Sequence, residues 1–239
     1  MAPARLNAAL ALSMKRSASI EALIRRSQDS FADLKKQYEA SLHEKAVRED
    51  LKVDIKNIFE NLRSCLDYLA HELFDAFCKG AKKPDRLYFP IRSTAGEFAQ
   101  AMSRDYPNLE ANCKPAFDAI EAVQPYRDPW LGQFNRLNNE NKHQDLVEQT
   151  RTETRRVEVK GPGGGVSWGP GVHFGQGVRV MGVPIDPRTQ LPVTNTQVTT
   201  TITTWVDFTF REGGQSVLPF IEKSIAQVDA TYRALAKYC

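Results

Sequence analysis

Residues 17–79 contain neither glycine nor proline, and this long uninterrupted stretch limits the possible folds of the chain more than any other feature. Apolar side chains recur in it at helical spacing. The first apolar stripe consists of Ile20, Leu23, Ile24, Phe31, Leu34, Tyr38 and Leu42, and the second of Ile55, Ile58, Phe59, Leu62, Leu66, Leu69, Leu73 and Phe77. A single helix of this length would be roughly 90 Å long, which is out of proportion to the chain. We therefore predict two amphipathic helices, with a break between His43 and Asp50, and Gly80 and Pro84 end the second helix.

The following segment contains several prolines, which divide it into shorter elements. Residues 87–91 (LYFPI) form an apolar connector, because the proline inside them argues against a central strand. Apolar spacing predicts helices over about residues 95–104 and 109–124, and Pro125 ends the second of these. Pro129 begins a further helix, since proline is favoured in the first helical turn.

The hydropathy pattern changes to a period of two after about residue 150, which predicts strands. The predicted strands cover residues 155–160, 172–174, 178–183 and 196–210, and a final helix covers residues 217–238. The glycine-rich residues 161–171 and the sequence Gly175-Gln-Gly177 are typical of hairpin connections. We predict an α+β fold with a mainly helical bundle (residues 1–150), an antiparallel β-sheet insertion (residues 151–212) and a C-terminal helix that returns to the bundle (residues 213–239).

The composition is that of an ordinary globular protein, with 41% hydrophobic and 26% charged residues. The net charge of +3 does not require a nucleic-acid partner, although it permits a local basic patch. The four cysteines include no CxxC pair, which favours reduced thiols in a cytoplasmic protein. No stretch is long and apolar enough to span a membrane, so we expect a soluble protein with no membrane partner.

Cofactor chemistry has little support in the sequence. Asp67, His71, Asp75 and His143 are possible metal ligands, but the HExxH pair of metallohydrolases is absent. The glycine-rich segment lacks the GK[ST] ending of a phosphate-binding loop and precedes strands rather than a helix. We therefore expect neither a bound metal nor another cofactor.

The stretch from Arg136 to His143 (RLNNENKH) is the strongest candidate for a functional site. Arg136 and His143 are seven residues apart, so on a helix they would lie on one side, roughly 10 Å apart along the axis. The apolar stripe of this predicted helix consists of Trp130, Phe134 and Leu137, and its next position is the polar Asn141. A helix that begins as core and ends in asparagine, lysine and histidine indicates a polar site.

A second polar row borders the apolar stripe of the second predicted helix. Arg63, Asp67 and His71 follow one another at spacings of four, so their side chains are neighbours on the helix surface. The row is either an exposed ion-pair ladder or an arrangement in which Asp67 orients His71 or Arg63 for acid–base chemistry. If the two helices pack together, the row would meet Asn138, Asn141, Lys142 and His143. Such a network would either fix the helix register or form a functional site.

Four short blocks resemble, in the same order, those of a widespread set of uncharacterised bacterial proteins, which carry NLRSALDHLA, FPI, QPY and DKH sequences. The matching blocks here are residues 61–71 (NLRSCLDYLAH), 89–91 (FPI), 124–126 (QPY) and 141–143 (NKH). This resemblance covers roughly residues 50–147 and implies no established activity.

Arg136 and His143, separated by six residues, are also similar to the R-x(4–6)-H signature of HEPN-type helical domains. Many of those domains are metal-independent ribonucleases of toxin–antitoxin and phage-defence systems. The resemblance implies a composite site across a dimer, in which Arg136 stabilises phosphate charge and His143 handles protons or the leaving group, with Asn139 or Glu140 between them. This chain departs from the family pattern at Leu137, where a polar residue is usual, and in the sheet that follows the motif.

We therefore expect a HEPN-like protein that acts on RNA, as a metal-independent ribonuclease or a degenerate RNA binder, and that forms a homodimer or binds a partner protein. The expected catalytic residues are Arg136, His143, His71 and Asp67, and the expected binding residues are Arg63, Asn138, Asn139, Asn141 and Lys142. The alternative is a non-enzymatic interaction or scaffold protein in which the polar rows fix helix packing. An open cleft favours the first function, whereas a sealed network of mutual hydrogen bonds favours the second.

Overall fold

The computed structural model describes residues 14–40, 49–143, 149–169, 171–193, 198–210 and 214–239. It confirms the predicted α+β class, because helices dominate and two small antiparallel sheets precede the C-terminal helix. The chain divides into two compact units. The helical unit comprises residues 1–148 and 218–239, and the β unit comprises residues 149–217.

Seven helices occur in the described residues. They are α1 (Ser17–Ala40), α2 (Glu49–Phe77), α3 (Ala95–Asp105), α4 (Leu109–Asn112), α5 (Lys114–Ala122), α6 (Pro129–His143) and α7 (Val217–Ala236). The break predicted between the first two helices falls mostly on residues 41–48, which lie outside the described residues. Over the part of the chain that the structure describes, no helix has the length and apolar character needed to cross a membrane.

The single helix predicted over residues 109–124 is wrong, because α4 and α5 are separate. Cys113, between them, has a non-helical backbone with φ −153° and ψ 78°. Pro115 lies in the first turn of α5, where its missing N–H is tolerated. In a continuous helix the same proline would remove a hydrogen bond and clash with the preceding turn, so the helix stops and restarts.

Phe59 of α2 marks the point at which three helices of the helical unit meet. Its buried ring makes edge-to-face contacts with Phe134 of α6 and Phe220 of α7, at centroid distances of 5.6 and 6.2 Å. Trp130 of α6 stacks on Phe134, and its indole N–H donates a hydrogen bond to Ser224 Oγ of α7 at 3.0 Å. The apolar stripes of α2 and α6 therefore pack together, and their polar flanks lie side by side.

The β unit is built on the long strand β1 (Gln149–Gly161). Two strands, β2 (Gly164–Trp168) and β6 (Thr199–Phe210), pair with its edges in antiparallel register. A second small sheet contains β3 (Arg179–Val180), β4 (Val183–Asp186) and β5 (Leu191–Pro192). The apolar cluster of this unit consists of Val157, Val159, Trp168 and Ile185.

Two of the strand predictions are wrong. Residues 172–174 form no strand, because the side-chain amide of Gln190 accepts from the Phe174 N–H at 2.7 Å and donates to its carbonyl at 3.2 Å. Residues 178–183 form two short strands, β3 and the start of β4, rather than one. Met181 and Gly182 turn the chain between them with φ angles of 51° and 79°, as a two-residue hairpin loop requires.

Candidate functional site

The apolar connector, residues 87–91, is held in place by side chains from the surrounding helices. The Asp67 carboxylate of α2 accepts a hydrogen bond from the backbone N–H of Phe89 at 3.0 Å. The hydroxyl of Tyr106, at the end of α3, donates to the backbone carbonyl of Tyr88 at 2.7 Å. These bonds satisfy two backbone groups of a segment that pairs with no strand in the described parts of the chain.

Gln124, which follows α5, fixes the other end of the connector. Its side chain is fully buried, and its Nε2 donates to the carbonyls of Pro90 and Ile120 at 2.9 and 3.0 Å. Its Oε1 accepts from the backbone N–H of Arg92 at 3.0 Å. Three of the four sequence blocks quoted above therefore meet in one hydrogen-bond network, which fixes the backbone of residues 88–92.

Arg63 links this network to α6. Its guanidinium forms an ion pair with Asp67 at 3.0 Å and donates weakly, at 3.4 Å in each case, to the Phe89 carbonyl and to Asn135 Oδ1 of α6. The side chains of Arg63 and Asp67 are 12% and 21% exposed, so the pair is part-buried rather than a fully exposed ladder. The row on α2 thus meets α6 at Asn135, a residue that the sequence did not single out.

A cavity of about 220 Å³ opens beside this ion pair, and we call it the arginine pocket. Its charged and amide-bearing lining consists of Arg63, Arg86, Arg92, Arg104, Asp105 and Asn135. Arg104 pairs with Asp105 through two hydrogen bonds of 2.7 Å. Arg86 and Arg92 form no ion pair with any residue that the structure describes. The pocket therefore presents more positive than negative charge.

A second depression of about 300 Å³ adjoins the arginine pocket and shares Ile91, Arg92 and Arg104 with it. Its remaining lining comes from Ser93 and from residues of α3, including Glu97. The Glu97 carboxylate accepts from the Ser93 N–H at 3.1 Å. The two depressions together form a polar surface that Arg92 and Arg104 join.

His71 does not line the arginine pocket, although it continues the row of Arg63 and Asp67. Its Nδ1 is buried without a hydrogen-bond partner among the described residues. Burial lowers the pKa of His71, and the nearby cations of Lys83 and Arg16 lower it further, against the opposing effects of Asp75 and Asp67. The imidazole is therefore neutral near pH 7, beside the ion pairs that join Arg16 to Glu72 and Asp75, and Lys83 to Asp75.

The polar end of α6 is described only in part. Arg136 and Asn139 are exposed, whereas Asn138 is buried and its Oδ1 has no hydrogen-bond partner within the described ranges. The backbone is helical through His143, so Arg136 and His143 belong to one helix. For Asn141, Lys142 and His143 the structure describes the backbone and not the side chains. The predicted contact of Arg63, Asp67 and His71 with them therefore stays a prediction.

The sequence indicated no functional role for Arg86, Arg92 and Arg104, and Gln124 was noted only as part of the QPY block. Arg86 and Arg92 flank the apolar connector closely, which was the signal available for them. Arg104 lies on the exposed side of α3, and no pattern in the sequence indicated a functional role for it. Asn135 precedes Arg136 and belongs neither to the apolar stripe of α6 nor to the stretch from Arg136 to His143, so neither pattern indicated it.

The described parts of the chain show no further site for a nucleophile or a metal ion. Burial raises the pKa of the Cys65 thiol to about 12 and that of Cys78 to about 11, so both stay protonated near neutral pH. A GxSxG sequence around Ser167 lies on β2 rather than at the strand-to-helix turn of a hydrolase nucleophile. No group of three or more potential metal ligands occurs among the described side chains. Comparison of the chain with protein-family models, curated proteins and solved structures finds no significant match.

Proposed function

We propose that the protein binds RNA at the arginine pocket and acts on it through Arg136 and His143 of α6. The observation that carries this proposal is that four arginine residues line one small cavity, two of them without an acidic partner in the described chain. Guanidinium groups bind phosphate oxygens through paired, charge-assisted hydrogen bonds. A phosphate-bearing ligand therefore suits the pocket better than an apolar or cationic one.

The position of Asn135 connects the pocket to the proposed catalytic helix. Asn135 lines the pocket, and Arg136 is the next residue of α6. Arg136 and His143 are separated by seven residues, which corresponds to roughly 10 Å along the helix axis. We expect a strand anchored in the pocket to extend along α6 toward these two positions.

The HEPN-like resemblance supplies the roles of the two residues. Arg136 would stabilise negative charge on the phosphate under attack, and His143 would handle the protons of the reaction. In that family the site is composite across a dimer, so we include a homodimer in the proposal. The biological setting that the resemblance implies is a toxin or phage-defence system.

The decisive experiment measures cleavage of a fluorescent single-stranded RNA by the full-length protein. We expect His143→Ala to lower the cleavage rate by roughly 10²–10⁴-fold, because general acid–base catalysis contributes about this much. His173→Ala serves as the matched control, since His173 is an exposed residue of the β unit. Loss of cell toxicity on expression of His143→Ala would support the same conclusion.

Three outcomes would contradict part or all of the proposal. Unchanged cleavage by folded His143→Ala would overturn the catalytic role of that residue. If the wild-type protein binds RNA without cleaving it, the protein is a degenerate RNA binder. Absence of both binding and cleavage would overturn the RNA proposal altogether.

A second candidate function is a non-enzymatic interaction or scaffold protein. The observation that favours it is the use of Asp67 and Gln124, which hold the backbone of the connector rather than face an open cleft. Under this function the polar network exists to fix helix packing, and the partner is another protein. Substitution of Arg86 and Arg92 would then leave partner binding unchanged, whereas it weakens RNA binding under the first proposal.

A further inference from the structure

We propose that the arginine pocket recognises a terminal phosphomonoester and that the ring of Tyr88 stacks on the base beside it. The inference rests on the proposed function in so far as the phosphomonoester belongs to RNA. It adds the substrate class, which is RNA with a phosphorylated end rather than any single strand.

The charge of the pocket fits a dianion better than a monoanion. Four arginines line the pocket, and two carboxylates, Asp67 and Asp105, each pair with one of them. Four positive and two negative charges leave a balance of two positive charges. A phosphomonoester carries about −1.5 to −2 at neutral pH, whereas each internal phosphodiester of RNA carries a single negative charge.

The pocket is small for a ligand site. Its volume of about 220 Å³ is below the roughly 300–1,000 Å³ of pockets that enclose a drug-sized ligand. We expect the phosphate to occupy the pocket and the attached base to stay at its mouth.

Two of the four arginines of the pocket, Arg63 and Arg92, are held in place by other groups of the protein. Arg63 is held by Asp67, by the Phe89 carbonyl and by Asn135. The backbone N–H of Arg92 donates to Gln124, and its guanidinium donates to the Ile91 carbonyl at 2.8 Å. Fixed donors lose little conformational entropy on binding, which increases the affinity for a small, highly charged group.

Tyr88 provides the surface for the base. Its side chain lines the pocket, and the residue is 56% exposed. Its backbone carbonyl is fixed by the Tyr106 hydroxyl, and the Arg63 guanidinium lies 6.0 Å from the centre of its ring. An exposed aromatic ring beside a cationic pocket is the arrangement by which proteins stack an unpaired base.

The test compares short single-stranded RNAs that differ only at their ends, with fluorescence anisotropy of an internal label as the readout. One RNA carries a 5′-phosphate, a second a 3′-phosphate, and a third hydroxyl groups at both ends. The sugars are 2′-O-methylated so that the strand cannot be cleaved through its 2′-oxygen. A nucleoside monophosphate and inorganic phosphate are tested as competitors.

We expect one phosphorylated end to bind at least about tenfold more tightly than the hydroxyl-ended RNA, since one charge-assisted hydrogen bond accounts for about this factor. Arg86→Gln and Arg92→Gln should each remove most of that preference. Tyr88→Ala should weaken binding of the phosphorylated RNA by roughly tenfold, and Tyr88→Phe should not, because the ring remains. Arg25→Gln, at an exposed position of α1, is the matched control.

The outcomes separate this inference from the proposed function. Equal affinity for all three RNAs, weakened by Arg86→Gln and Arg92→Gln, would overturn the inference and leave RNA binding intact. Binding of the nucleoside monophosphate without binding of any RNA would overturn the RNA proposal and support the phosphomonoester site. Absence of binding to every probe by the folded protein would overturn both.

Discussion

The carboxylate of Asp67 accepts a hydrogen bond from the backbone N–H of Phe89 at 3.0 Å, across a sequence separation of 22 residues. The same carboxylate forms the ion pair with Arg63. Asp67 therefore orients Arg63, which lines the arginine pocket. It also fixes the apolar connector, whose residues line the same pocket.

Asp67→Ala should lower the free energy of unfolding by on the order of 3 kcal/mol, because it leaves a part-buried guanidinium and a backbone N–H without their acceptor. Urea unfolding followed by circular dichroism measures the change. Asp33→Ala is the matched control, since Asp33 is 69% exposed and pairs only with Lys36 among the described residues. An equal effect of the two substitutions would contradict the structural role assigned to Asp67.

Gln124→Ala should release the connector and also lower the free energy of unfolding by on the order of 3 kcal/mol, since three hydrogen bonds of a buried side chain are lost. Hydrogen–deuterium exchange gives the sharper readout. The amide of Arg92 should exchange faster in the variant, while amides of α1 keep their wild-type rates. Gln28→Ala, at an exposed position of α1, should change neither quantity.

Ser224→Ala should destabilise the protein by about 1–3 kcal/mol, because the buried indole N–H of Trp130 loses its acceptor. Ser27→Ala is a close control. Both serines are fully buried and both donate to the carbonyl four residues earlier, but only Ser224 also accepts from a tryptophan. Loss of the hydrogen bond from serine to the carbonyl should therefore cost about the same free energy of unfolding in both variants and cancel in the comparison. Equal melting temperatures of the two variants would show that the tryptophan bond contributes nothing.

His71 should make stability depend on pH just below neutrality. Its pKa in the folded protein is lowered by burial and by Lys83 and Arg16, so the unfolded chain binds more protons than the folded chain below about pH 6.5. The stabilisation is complete above this pH and is lost as the pH falls through 6.5 toward the folded-state pKa. Protonation would also give the buried Nδ1 a proton with no described acceptor.

The measurement compares urea midpoints at pH 7.5 and 5.5 for the wild type and His71→Gln. The variant should lose part of the pH-dependent decrease that the wild type shows. His173→Gln, which changes an exposed histidine of the β unit, should retain it. An identical pH dependence of the wild type and His71→Gln would be evidence against a depressed pKa of this imidazole.

The sequence by itself determined the class of the fold and most of the helical framework, except for the division between α4 and α5. The spacing of Ile55, Phe59 and Leu62 predicts which face of α2 is buried, because a helix repeats every 3.6 residues wherever it lies in a protein. Pro129 predicts the start of α6 for an equally local reason, since its ring fixes φ and it lacks an N–H. The pairing of Arg63 with Asp67 also follows from helical spacing.

Only the tertiary structure determined which residues of these elements lie next to one another. Arg63, Arg92, Arg104 and Asn135 come from α2, the connector end, α3 and α6, so no local spacing relates them. The strand predicted at residues 172–174 was lost for a similar reason, because the amide of Gln190, distant in sequence, satisfies the Phe174 backbone. Backbone periodicity is a local property that sequence carries, whereas the convergence of charges depends on packing between distant segments.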